Sequence, residues 1–173
     1  MIYGIEFDSN GNPLEGWEAP DSTYPVPSNV TVCTQAQWAD YEAWTLVSGA
    51  LVQSLAYAQA TQSALLRSSY LSAIAANISY TSAAGVTDTY QCDPGSIRNI
   101  QSCLSAFRAS GTVPSGFYWR SATNNNNAFT YADLVNLSAA IANRGFTNFA
   151  QLQSLLAQVM AATTVSAVQA IVW

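Results

Sequence analysis

Whatever this chain folds into, its surface must be assembled almost without charge. Only 9% of its residues are charged, against about 25% in an ordinary soluble protein. Lysine and histidine are absent. Half of the residues are hydrophobic, so a packed core is expected rather than wholesale disorder. The polar surface must then come from Ser, Thr, Asn and Gln. Such groups give up water more readily than ions, because burying an unpaired charge is far more costly. A surface of this kind suits a protein that works pressed against neighbours.

The few charges are unevenly placed. Seven of the ten acids (Glu6, Asp8, Glu15, Glu18, Asp21, Asp40, Glu42) fall in the first 42 residues, and all five bases are arginines from Arg67 onward. This separation can orient one part of the chain against another, within a molecule or between copies. Five scattered arginines and a pI near 4.2 exclude the basic footprint of a nucleic-acid binder. No apolar run reaches the ~18 residues of a membrane span. Met1 to Phe7 is too short, and too soon followed by acids, for a signal peptide. Three cysteines, Cys33, Cys92 and Cys103, are an odd number without metal-ligand spacing, which favours free thiols. A Cys92–Cys103 bridge stays open.

The chain reads as α+β: helix-rich, with short antiparallel hairpins and a small strand-containing N-terminal region. Residues 2–7 predict a strand, and Asp8-Ser-Asn-Gly-Asn-Pro13 a turn. Residues 14–29, with Pro20, Pro25 and Pro27, read as irregular extended chain. Val30–Cys33 predicts a strand. Thr34-Gln-Ala-Gln37 is a capping box for a helix carrying Trp38 and Tyr41. Around Gly49 a turn and a short strand are expected. Residues 54–77, rich in Ala, Leu and Gln, predict a long helix. A hairpin should pair 78–80 with 86–90.

Asp93-Pro94 opens a helix with Ile97, Ile100, Leu104 and Phe107 on one face. Phe117–Arg120 predicts a strand, followed by a four-asparagine loop at 124–127. Thr130-Tyr-Ala-Asp133 starts a helix whose inner stripe is Tyr131, Leu134, Val135, Ser138 and Ile141. Gly145 should stop it, and Thr147 should cap another helix with stripe Phe149, Leu152, Leu156, Val159 and Met160. A last turn follows, with Ile171 and Trp173 as core closers. The composition shift near residue 52 divides the chain into an acidic region, 1–52, and an α+β unit, 53–173.

The chemistry available is narrow. Without histidine there is no Ser–His or Cys–His pair and no common general base. Without lysine there is no phosphate-binding Gly-x-x-x-x-Gly-Lys loop. The paired acids Glu15/Glu18 and Asp40/Glu42 read as solvated surface groups. No enzyme, cofactor or metal site is expected. Among the aromatics and amides, Trp17, Trp38, Tyr118 and Asn125 are the candidate contacts to a partner or receptor, because aromatic rings with a polar edge serve sugar and protein surfaces.

From about residue 54 to 173 the chain resembles an uncharacterised domain family found in small proteins of phage tail-fibre gene regions. The matching stretches are Gln59-Ala-Thr-Gln-Ser-Ala-Leu-Leu66, Ile78-Ser-Tyr80, Cys92-Asp93, Ser96-Ile-Arg-Asn-Ile100, Phe117-Tyr-Trp-Arg120, Tyr131-Ala-Asp-Leu134 and the closing Thr163 to Trp173. The opening, with Pro27-Ser-Asn-Val30 leading to Trp38, is similar to the openings of tail-fibre assembly proteins. The resemblance brings no catalytic residues. It implies a structural component of a bacteriophage tail or tail fibre, made in the bacterial cytoplasm and located in the virion. Its partners would be other tail proteins, in a homo- or hetero-oligomer. An assembly chaperone absent from the mature particle is the alternative reading, and a host-surface binding module is a third.

Overall fold

A computed structural model describes residues 1–173. The fold is α+β, built from one three-stranded and three two-stranded antiparallel sheets and five α-helices. Its residues gather into two compact units: 1–65 with 155–172, and 66–154 with Trp173.

In the first unit, β1 (Ile2–Phe7) lies between β2 (Pro13–Ala19) and β3 (Val30–Cys33). The turn joining β1 to β2 is held by Asp8, whose Oδ1 accepts the amides of Asn10 and Asn12, each at 2.8 Å. Gly11 adopts φ +81° there, a conformation that side chains resist. Its carbonyl accepts the Leu46 amide at 2.9 Å and the Thr45 hydroxyl at 2.8 Å. The turn is thereby tied to β4 (Trp44–Val47).

One expectation fails in this unit and another falls short. Residues 13–19 are a strand rather than irregular chain. Pro13 occupies its first position, where a missing amide is tolerated, and the turn folds the segment back onto β1. Only 20–29 is irregular. Around Gly49 both arms are strands, since β4 pairs with β5 (Ala50–Gln53) through Ser48 and Gly49, both at positive φ.

Along β1, Tyr3, Ile5 and Phe7 point to one face, and Gly16 of β2 stands opposite Ile5. Helix α1 (Gln35–Ala39) begins with the expected capping box: the Gln37 amide donates to Thr34 Oγ1 at 3.2 Å, and the Thr34 amide to Gln37 Oε1 at 2.9 Å. It places the Trp38 indole 5.2 Å from the Tyr3 ring. A Cβ on Gly16 would sit 2.7 Å from Trp38 Nε1, so the indole rests where this glycine has no side chain.

Helix α2 (Leu55–Ala75) starts in the same unit. Gln59 Nε2 donates to the carbonyls of Val159 and Ala162, at 3.2 and 3.1 Å. These carbonyls end helix α4 (Tyr131–Ala161), where intrahelical partners run out. Val159 is fully buried, as is Val168 of helix α5 (Val165–Gln169). Val168, rather than half-buried Ile171, is the closing core residue of this unit.

The second unit pairs β6 (Ile78–Thr81) with β7 (Thr87–Tyr90), and β8 (Tyr118–Arg120) with β9 (Asn126–Ala128). Between them runs α3 (Pro94–Phe107), capped by Asp93, which accepts the Gly95 and Ser96 amides at 2.8 and 3.0 Å. The core is Tyr90, Ile100, Phe129, Leu134 and Leu137. Trp173 is half-buried, edge-on to Tyr70 at 6.3 Å.

Helix α4 departs most from expectation. It runs unbroken for 31 residues through Gly145 and Thr147. An interior glycine costs only about 1 kcal/mol, whereas two helices would create another set of unpaired terminal amides and carbonyls. Arg144 adds an anchor at that point, donating to the carbonyls of Ile74 (2.8 Å) and Asn77 (3.3 Å). The buried apolar residues are Leu134, Leu137, Leu152 and Val159, while Val135, Phe149 and Met160, expected inside, are exposed.

All three cysteines are free; Cys92 is buried, and Cys33 and Cys103 are partly so. Burial pushes the Cys33 and Cys103 thiols up from their ordinary range. No helix is long and apolar enough to cross a membrane.

Candidate functional site

The four-asparagine run is not a simple loop. Asn124 sits at the turn, at φ 66°, while Asn126 and Asn127 belong to β9. Asn127 is buried, and its amide donates to Asp88 Oδ2 at 3.0 Å and to the Tyr90 hydroxyl at 2.9 Å. Asn125 donates to Asp88 Oδ2 at 3.2 Å and to Thr123 Oγ1 at 3.1 Å. The Thr123 hydroxyl and the Thr89 amide donate to Asp88 Oδ1, at 3.1 and 2.7 Å. Asp88 on β7 therefore fastens one hairpin to the other. These bonds, the Asn127 amide foremost and then the Thr89 amide, hold its carboxyl far below the usual range.

A second carboxylate does the same work deeper in the unit. Asp133 is 2% exposed. It accepts from the Thr130 hydroxyl and amide at 2.7 and 2.8 Å, from the Ala83 amide at 2.8 Å and from the Tyr80 hydroxyl at 3.0 Å. Burial opposes its ionisation, but these four donors prevail and keep its pKa below the ordinary value.

The braced hairpin carries Tyr118 and Trp119 at a cleft of about 450 Å³, which Gln91, Asn99, Cys103 and Arg120 also line. Tyr118 is 53% exposed and Trp119 half-buried. Amides, hydroxyls, two aromatic rings and one guanidinium can hold a neutral or weakly anionic polar ligand. No carboxylate lines this cleft.

Of the residues singled out from the sequence, Tyr118 and Asn125 share this hairpin. Trp17 and Trp38 lie in the other unit, on opposite faces of its sheet: Trp17 pairs across from Gly4, whereas Trp38 covers the Ile5–Gly16 face. Both are half-buried. Trp38 Nε1 is buried without a hydrogen-bond partner. The weighed carboxylate pairs do not converge. Glu15 and Glu18, three apart on a strand, point to opposite faces, and Asp40 accepts the Tyr57 hydroxyl at 2.8 Å. That bond raises the Tyr57 pKa. No group of three Cys, Asp or Glu side chains is arranged to hold a metal ion.

Sequence reasoning missed Asp88, and of Asp133 it saw only that Thr130-Tyr-Ala-Asp133 starts a helix. The signal for Asp133 was present. Thr130-x-x-Asp133 has capping-box spacing, and the reciprocal bond from the Asp133 amide to Thr130 Oγ1 is 3.1 Å.

The model of one protein family, described as Domain of unknown function (DUF4376), matches residues 58–172. No curated protein and no solved structure matches the chain.

Proposed function

The chain belongs to the DUF4376 family, and from that premise we propose that it acts by protein–protein packing, as a structural component of a bacteriophage tail or tail fibre. One observation carries the packing reading. The carboxylates Asp88 and Asp133 are committed to holding the protein's own hairpins, while several large apolar side chains stand exposed. Phe146 is 76% exposed, Met160 and Val172 69%, and Leu71 59%. Apolar groups with few charges among them favour contact with partners. The tail assignment rests on the resemblance of residues 54–173 to small proteins of phage tail-fibre gene regions. A virion component gains from a surface that desolvates readily, whereas a transient soluble chaperone gains from net charge. Quantitative mass spectrometry of purified particles tests this. The protein should be present at a fixed copy number. Presence in infected lysates with absence from particles would replace this role with that of an assembly chaperone.

A second reading, host-surface recognition, is favoured by the cleft beside Tyr118. Binding of the purified protein to host cells should then fall at least tenfold with Tyr118→Ala, at an unchanged melting temperature. Equal binding by the variant, or none by the intact protein, removes this reading.

A further inference from the structure

Helix α4 has two apolar faces, and the core uses only one. The second is a seam at Val135, Ala139, Ala142, Phe146, Phe149 and Gln153, all exposed. Val135, Phe146 and Phe149 are 41, 76 and 49% exposed, and one edge of Phe149 meets Tyr70 at 6.3 Å. Their spacing of alternating four and three residues is the heptad period of helices that pack along their length. The only charged residues of the helix are Asp133 and Arg144. Asp133 is buried and bonded to its own unit, and the Arg144 guanidinium is directed to the Ile74 and Asn77 carbonyls. The seam therefore offers no charge for a charged partner to read, and no repulsion to a copy of itself.

We propose that this seam pairs antiparallel with the same seam of a second copy, about a two-fold axis at Arg144. The sequence supplies the size match such an axis demands. Residues equidistant from 144 face one another across the pair, so Phe146 meets Ala142 and Phe149 meets Ala139. Each large ring lies against a methyl group at both symmetry-related positions. This is the self-complementarity of an isologous interface and the large-to-small alternation of an interdigitated one. Val135 faces Gln153 at the ends. From Val135 to Gln153 the seam is about 27 Å long on a helix about 10 Å across. That falls short of the about 800 Å² per partner of a stable complex. The pairing is accordingly reversible, and it becomes dominant where an assembly holds copies at high effective concentration.

The inference deepens the packing reading and rests on it, but not on the tail assignment. A protein that pairs in solution yet is missing from particles keeps the first and loses the second. The test is sedimentation equilibrium of the full chain from roughly 10 μM to 1 mM, the range of a weak interface. The average mass should climb from that of the 18.4 kDa chain toward twice that value. Phe146→Glu should abolish the rise, and Thr147→Glu, one residue round the helix, should not. Ala142→Phe should weaken pairing at least fivefold by setting ring against ring, and Ala142→Phe with Phe146→Ala should restore it. Circular dichroism melts confirm that each variant is folded. A monomer at every concentration, a rise that survives Phe146→Glu, or a double variant no better than Ala142→Phe would overturn the proposal. So would occupation of the seam solely by a different protein.

Discussion

Replacing Asp133 with alanine should destabilise the second unit by about 3–5 kcal/mol, because the change leaves several buried donors without an acceptor. The Ala83 amide, the Thr130 amide and hydroxyl and the Tyr80 hydroxyl all converge on this one carboxylate. In the fold this carboxylate is the acceptor they share. In a unit of this size the loss corresponds to a fall of roughly 15–25 °C in Tm. Asp133→Asn keeps one carbonyl oxygen and should cost less. Thermal melts followed by circular dichroism measure both. A fall of only a degree or two for the alanine variant would mean that water replaces the carboxylate.

The same carboxylate sets an acid limit. The folded-state pKa of Asp133 lies below its ordinary value of 3.8, and that of Asp88 is lowered further by its own donors. A depressed carboxylate pKa contributes stability that is fully present above the unfolded value and lost as pH falls through the folded one. Stability should therefore drop below about pH 4. Asp133→Asn should flatten that decline, since its amide does not titrate.

Phe129→Ala should cost about 3–5 kcal/mol, the range for removing a large ring from a packed core. Phe129 is 3% exposed and packs between two other rings, 5.8 Å from Tyr80 and 5.2 Å from Tyr90. Its neighbours are tied down: Tyr80 is bonded to Asp133 and Tyr90 to Asn127. They cannot easily collapse into the space, so a cavity should remain. Phe129→Leu refills most of the volume and should lose less than half as much. Urea titrations of the three proteins give the differences directly. A loss under about 1 kcal/mol for alanine would show that the core relaxes freely, against the packing described.

What could be read from the sequence followed physical range. Local signals translated well: the Thr34 capping box, the Asp93-Pro94 helix start and the Asp8–Asn12 turn each depend on residues within four positions. The α+β class followed from these signals and from hydrophobic periodicity. The strand at 13–19 was obscured because its three later prolines dominated the reading, although they begin only at Pro20. Gly145 misled for a different reason. A glycine's preference is worth about 1 kcal/mol, and packing on both sides of it outweighs that. The roles of Asp88 and Asn127 were invisible because they form across hairpins 39 residues apart. Tyr118, singled out as a candidate contact, is 53% exposed on its strand. Asn125 was expected as an exposed contact, and its bond to Asp88 appears only with the fold.

The first unit joins residues 1–65 to residues 155–172, whereas the second is made from 66–154 and Trp173. A chain emerging from the ribosome thus holds nearly all of the second unit while the first still waits for its last stretch. Gln59 cannot reach the Val159 and Ala162 carbonyls until a hundred further residues have been translated. Closing so long a loop is slow. Through that interval the first turns of α2 stand without the partner that Gln59 binds, and apolar surface left uncovered in this way is open to misassembly.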